Sequence, residues 1–198
     1  MVAIKFLDKT RLGTEEHGHD YGRKLLWKEL HREKAFDVGV RPIDKVEYQL
    51  PDGRNASYYV RRDGHSLVVV ALTPSKEVIL VRQFRPGKNC VVTDLPGGGI
   101  KASQSPEEAA RAELAEETGY TGDFQFVGES WPDGYSSRIS HVFVATDCRV
   151  LTDGQSLDEN EFIEVQLMPL QEFRSFIRTG KMTDIDAAYL GLDFLKLL

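Results

Sequence analysis

The chain has 198 residues, a net charge of −6, and 41% hydrophobic against 28% charged residues. That composition is globular, and the length suffices for one sizeable core with a small appended unit. The acidic balance, with no basic tract, argues against a nucleic-acid partner, and no apolar run nears the roughly 18 residues of a membrane span.

Residues 1–60 read as an N-terminal extension and 61–198 as the main domain. Met1 to Leu7 is too short an apolar stretch for a signal peptide, because Asp8, Lys9 and Arg11 follow at once. Cys90 and Cys148 lack metal-like spacing and are expected as free thiols, which suits a reducing cytoplasm. His17 and His19 are spaced to chelate, but no third ligand lies near them. Leu25, Leu26 and Leu30, with Trp27, approach helical spacing, so a short amphipathic helix is predicted over 21–33. Lys45 to Leu50 and Ala56 to Arg61 then form a hairpin around the turn Pro51-Asp52-Gly53-Arg54-Asn55.

The core begins at Ser66. Ser66 to Leu72 contains LVVVAL, a continuous run of the buried-strand kind. Val78 to Phe84 is the next predicted strand, and Cys90 to Leu95 the one that delivers the chain to Pro96 and three glycines. A helix follows, then strands over 124–130 and 140–145. The turn-rich stretch WPDGYSSR lies between those strands. Glu161 to Met168 reads as a last strand, and 170–178 and 184–197 as two helices. Strands framed by helices predict an α+β fold, an α-β-α sandwich around a mixed sheet, with the N-terminal hairpin appended.

The most informative stretch is GGGIKASQSPEEAARAELAEETGY, Gly97 to Tyr120. Ser105 is an N-cap, Pro106 suits the first helical position, Glu108 completes a capping box, and Gly119 stops the helix. The predicted span is 106–118. Glu113, Glu116 and Glu117 fall at i, i+3 and i+4 and share one face, with no lysine or arginine a turn away on it. On its own such a face is usually just solvated. The glycines in front change that reading, because bare backbone can approach a ligand there. Carboxylates with a backbone carbonyl make a hard-oxygen site for Mg²⁺ or Mn²⁺. A second acidic stretch, SLDENEFI at 156–163, holds Asp158, Glu159 and Glu161 just before a predicted strand.

The glycine-to-tyrosine stretch resembles the Nudix box, G-x5-E-x7-R-E-U-x-E-E-x-G-U, from Gly98 to Tyr120. All three helix glutamates match. Gln104 stands where the box has Glu, and Ala112 where it has Arg. Beyond the box the chain resembles the ADP-ribose pyrophosphatase branch, the nucleoside diphosphate sugar hydrolases, over about 56–195. The segments are Val81-Arg82-Gln83-Phe84-Arg85, Pro132-Asp133-Gly134 and Asp158-Glu159-Asn160-Glu161.

The resemblance implies metal-dependent hydrolysis of a sugar nucleotide to a nucleoside monophosphate and a sugar phosphate. ADP-ribose is the first expected substrate, with GDP-mannose or other sugar nucleotides behind it. It implies metal ligands at Glu113, Glu116, Glu117, Glu161 and the Gly97 carbonyl. Glu159 is the implied base, with the two roles in the loop exchangeable. Arg85, Gly134 and Arg62 are implied at the substrate, and an aromatic among Tyr58, Tyr59 and Trp131 against the base. A homodimer is implied through the N-terminal extension, and a small-molecule substrate rather than a nucleic acid or membrane. Two other readings remain: a nucleotide-binding regulator, favoured by Gln104 and Ala112, and a triphosphate-cleaving enzyme.

Overall fold

The computed structural model describes residues 23–37 and 42–198; His17 and His19 lie outside the described residues. The chain divides into two units, Met1–Asp37 with Ile43–Val60, and Val38–Pro42 with Arg61–Leu198.

The first unit carries a three-stranded sheet in the order β1-β2-β3, built from β1 (Lys28–Phe36), β2 (Ile43–Gln49) and β3 (Asn55–Arg61). The helix predicted over 21–33 is not formed. Within the described part of that span, only a 3-10 turn at Arg23–Leu25 is helical, and β1 begins at Lys28. Long-range pairing overrides the leucine spacing. Every residue of β1 is exposed, so the strand has no apolar period of two to announce it. Its register against β2 is supported by charge, with Lys45 Nζ 3.3 Å from Glu33 Oε1 and Arg32 bonded to the buried Asp44 at 3.1 Å.

The second unit is an α-β-α sandwich. Its six-stranded sheet comprises β4 (His65–Leu72), β5 (Glu77–Arg85), β6 (Cys90–Asp94), β7 (Tyr120–Ser130), β8 (Ile139–Val150) and β9 (Glu164–Pro169). The path runs β6-β5-β4-β8-β7, with β9 on β5. β4 and β8 are parallel and the other pairs antiparallel, which makes the sheet mixed. Helix α1 (Pro106–Thr118) covers one face, where Leu67, Val69, Ala71, Ile79 and Phe143 meet Ala109, Ala110 and Leu114. Helices α2 (Leu170–Ile177) and α3 (Ile185–Phe194) cover the other, where Val68, Val70, Leu80 and Val144 meet Phe173, Ile177 and Leu192. β4 is buried along nearly its whole length, as its unbroken apolar run requires.

β7 starts four residues earlier than its apolar pattern. Tyr120-Thr121-Gly122-Asp123, ahead of the strand predicted from 124, forms an irregular strand with a register shift between Thr121 and Asp123. Gly122 is required there, since a Cβ would lie 2.7 Å from both Cys148 Sγ and the Thr146 carbonyl.

One departure from regular pairing makes room for a site. β4 and β5 pair only at Ala71↔Ile79 and Leu72↔Val78, and then separate. The glycine stretch fills the gap. Pro96 and Gly98 accept from the N–H groups of Val69 and Leu67, and Ile100 donates to the His65 carbonyl.

Candidate active site

Alternate residues of that stretch bond to β4, so Gly97 turns its own polar groups the other way. Its N–H donates to Glu117 Oε2 at 2.9 Å. Its carbonyl accepts no hydrogen bond among the described residues. Gly98 comes against the helix. A Cβ on it would lie 2.7 Å from the Glu113 carboxyl carbon, so the absence of a side chain seats that carboxylate.

Local chemistry fixes α1 as the sequence predicts. Ser105 Oγ accepts from the Glu108 N–H and Glu108 Oε2 accepts from the Ser105 N–H, closing the capping box. Gly119 ends the helix at φ 71°. Arg111 pairs with Glu107 at 2.8 Å and lies over the Phe124 ring, away from the acids.

Glu117 is buried, at 4% exposure, although no cationic side chain among the described residues bonds to it. Burial pushes its carboxyl up to about 8; the Glu113 and Glu161 charges push the same way, and the Gly97 N–H and Arg85 oppose them. Burial likewise lifts Glu113 to about 7, with Glu116, Glu161 and Asp158 adding to it and Lys101 opposing. Glu161 and Asp158, far along the chain, therefore sit close enough to be felt by the helix acids.

What brings them there is a contact at the start of this acidic loop that the sequence alone did not reveal. Gln155 Nε2 donates to the Glu117 carbonyl at 2.6 Å, and the Ser156 N–H donates to the Glu116 carbonyl at 2.9 Å. A helix leaves its last carbonyls unpaired, and here the 152–163 loop satisfies two of them. Gly119 permits the approach, since a Cβ on it would lie 2.9 Å from Gly154. Beyond this dock Asp158 and Glu161 close a turn, with the Glu161 N–H on the Asp158 carbonyl at 2.9 Å. The Asp158 N–H returns to Glu161 Oε2 at 3.2 Å. Glu159 is exposed on that turn and makes no hydrogen bond or ion pair with the described residues.

The remaining predicted positions divide. Arg85 approaches the acids, with Nε bonded to the buried Asp94 at 3.0 Å. Gly134 is exposed on the 131–138 loop, which is tied to 61–63 by Arg61–Asp133 at 2.6 Å and Ser136–Asp63 at 2.7 Å. Among the described residues no hydrogen bond or ion pair joins Gly134 to the acids. The Arg62 N–H donates to the Pro42 carbonyl at 2.9 Å. Tyr59 and Trp131 are exposed at 63% and 71%, while Tyr58 packs with Trp27 and Tyr48 in the first unit. A groove of about 540 Å³ runs beside Glu161, between Phe84, Val91, Leu157 and Phe162.

Among the described residues no three acidic, histidine or cysteine side chains are gathered tightly enough to close on an ion as they stand. The donors still fit a divalent ion. They are hard oxygens from carboxylates, with the unbonded Gly97 carbonyl turned away from β4 and a glycine cradle that admits Glu113.

The NUDIX domain family model matches residues 64–188. The chain belongs to the Nudix family. Nudix hydrolases depend on divalent metals, in keeping with these donors. The chain is 28% identical to the ADP-ribose pyrophosphatase of Bacillus subtilis, over 88% of its own length and 95% of that protein's. It is 31% identical to the GDP-mannose pyrophosphatase of Pectobacterium atrosepticum, over 82% and 86%. A crystal structure of an ADP compounds hydrolase superposes with a TM-score of 0.73 at 22% identity, covering 86% of this chain and 94% of that one. The expected Nudix fold is the fold observed. Gln104 and Ala112 therefore depart from the box without altering the helix that carries its acids.

Proposed function

We propose that the protein hydrolyses the pyrophosphate bond of nucleoside diphosphate sugars, with ADP-ribose as the first substrate and Mg²⁺ as the metal. The observation that carries this is the docking of the 152–163 loop, with Asp158 and Glu161 on it, against the end of the Nudix helix through Gln155 and Ser156. Glu113, Glu116, Glu117, Glu161 and the Gly97 carbonyl would hold the ion, and Mn²⁺ suits the same donors. Bound there, a divalent ion supplies charge neutralisation at the diphosphate and a more acidic water.

Each residue has a task in the proposed reaction. Arg85 holds a phosphate oxygen through the two guanidinium nitrogens that Asp94 leaves open. Glu159, exposed above the dock, takes the proton of the attacking water. The water oxygen bonds to phosphorus, the bridging P–O bond breaks, and a nucleoside monophosphate and a sugar phosphate leave. The groove beside Glu161 is of a size that accommodates such a substrate.

A second copy of the chain is proposed as partner through residues 1–60. Leu25, Leu26, Trp27, Leu30 and Phe36 are each at least 43% exposed, which supports a covered face in solution. Sedimentation should give a dimer; a monomer at micromolar concentration removes that part. No helix among the described residues is long and apolar enough to cross a membrane, and a cytoplasmic location is proposed.

The test of function is a panel of ADP-ribose, GDP-mannose, other sugar nucleotides and nucleoside triphosphates with Mg²⁺, scored by monophosphate release. ADP-ribose is expected to turn over fastest. Release from triphosphates alone would reject the proposal, and release from none would leave a nucleotide-binding Nudix domain.

A further inference from the structure

Asp94 is fully buried, yet it is a carboxylate at the end of an edge strand. Burying an isolated charge is costly, so its bonds need a reason. One oxygen, Oδ2, accepts from Arg85 Nε at 3.0 Å. The other, Oδ1, accepts from the Thr183 N–H at 3.0 Å, in the turn that precedes α3. Next in the chain, Asp184 lies 3.5 Å from Arg138, whose Nε donates to Ser66 Oγ at 2.8 Å. One carboxylate thus ties an arginine beside the acid cluster to the turn before the C-terminal helix.

The orientation of the guanidinium matters. Binding through Nε leaves both terminal nitrogens without a protein partner among the described residues, and the side chain is one-third exposed. A guanidinium held by its base presents its far edge as a two-pronged donor, which matches phosphate oxygens. An arginine so fixed loses little further rotamer freedom when the ligand arrives. Asp94 lies three residues before Gly97, whose N–H bonds Glu117, so the arginine it holds stands beside the acid cluster.

We propose that Asp94 is a positioning residue. It clamps Arg85 Nε so that the two terminal guanidinium nitrogens face a diphosphate at the acid cluster, and its second oxygen anchors that clamp to the turn before α3. This rests on reading Arg85 as a phosphate contact, which Asp94 serves without touching the substrate.

Asp94→Asn separates the clamp from mere packing. Asparagine has the same shape but only one oxygen; the NH2 that replaces the other cannot accept, so either Arg85 Nε or the Thr183 N–H loses its partner. ADP serves as probe, because its affinity needs no turnover. With Mg²⁺, D94N should weaken ADP binding about 10-fold and raise KM more than it lowers kcat, the scale of losing an orienting partner. In an Arg85→Ala background the same change should move ADP affinity less than about twofold, since the two residues act as one unit. Equal losses in both backgrounds would overturn the clamp. Side-chain NMR of the unmodified protein adds a check that requires no Asp94 variant to fold. An Nε–H signal assigned to Arg85 by its absence in R85A should be protected from exchange, and rapid exchange would overturn the clamp. If the ADP pattern appears but no sugar nucleotide is turned over, the hydrolytic reading fails and the clamp stands.

Discussion

Helix α1 and the 152–163 loop both bring carboxylates to the cleft, but they are built in opposite ways. The helix is capped at both ends, packs Leu114 and two alanines into the core, and buries Glu117. The loop is largely exposed, closes its own small turn, and reaches the helix through Gln155 and the Ser156 backbone. The helix holds its acids where they are electrostatically unfavourable, and packing supplies the compensating energy. The loop holds its acids cheaply and depends on its dock for their placement. Substitutions in the helix should therefore trade activity against stability, whereas those in the loop should lower activity with little stability return.

The sharpest test of that contrast is Glu117→Gln. Glutamine keeps an oxygen for the Gly97 N–H while removing the buried charge. Turnover of ADP-ribose should fall by about 10³-fold, the scale of losing several kcal/mol of metal-supplied charge stabilisation. The metal-free melting temperature at pH 8 should hold or rise. Preserved turnover would break the assignment of Glu117 to the metal. Gly98→Ala comes next. A methyl would displace the Glu113 carboxylate from contact, and a shift of about 1 Å at a reacting centre can cost on the order of 10²-fold in rate. If kcat at saturating Mg²⁺ is unaffected, the glycine cradle has no part in catalysis.

Stability against pH follows from the same helix. Glu117 titrates near 8 in the folded chain against an ordinary 4.5. Its protonated form favours folding, so the contribution is fully present below about 4.5 and is lost as the pH rises through 8. Glu113, near 7, acts in the same direction. Metal-free protein should therefore melt lower at pH 8 than at pH 5, by roughly 2–4 °C per kcal/mol for a chain of this size. Mg²⁺ should flatten the decline, since the ion takes over from the protons. A melting temperature that climbs between pH 5 and 8 without metal would contradict the burial of these acids.

The same contrast governs what could be read from the sequence. The bounds of α1 are local: Ser105, Pro106, Glu108 and Gly119 each act within one turn, and the helix follows them. The fold class follows from the apolar runs of β4 and β5, which need no partner to be recognised. β1 was illegible because its register rests on Glu33 and Arg32 meeting residues 12 positions away, while its own pattern imitates a helix. The acids of α1 and Glu161 were legible by type. Their meeting was not, because it depends on a glutamine side chain reaching a helix carbonyl 38 positions back. Asp94 left no motif; its role lies in two bonds made at once across the fold.

Gln155→Ala gives the smallest expected effect and tests the loop side of the comparison most directly. The change removes the bond from Nε2 to the Glu117 carbonyl, with a longer one to the Ile163 carbonyl, but leaves the Ser156 backbone bond in place. One hydrogen bond between protein groups contributes about 1 kcal/mol net, so the melting temperature should drop by only a few degrees. The Glu117 carbonyl sits at the helix end, where water can replace the lost donor. Activity should fall further than stability, by about 10-fold, because the turn holding Asp158 and Glu161 is then tethered by one bond instead of two. The loss should appear as weaker Mg²⁺ activation, with the rate partly recovered at high Mg²⁺, since the missing element is placement of a donor and not the donor itself. Glu161→Gln should show no such recovery. If Q155A instead lowers stability by several kcal/mol and leaves Mg²⁺ activation unchanged, the loop is a structural brace, and its acids reach the helix by some route other than this dock.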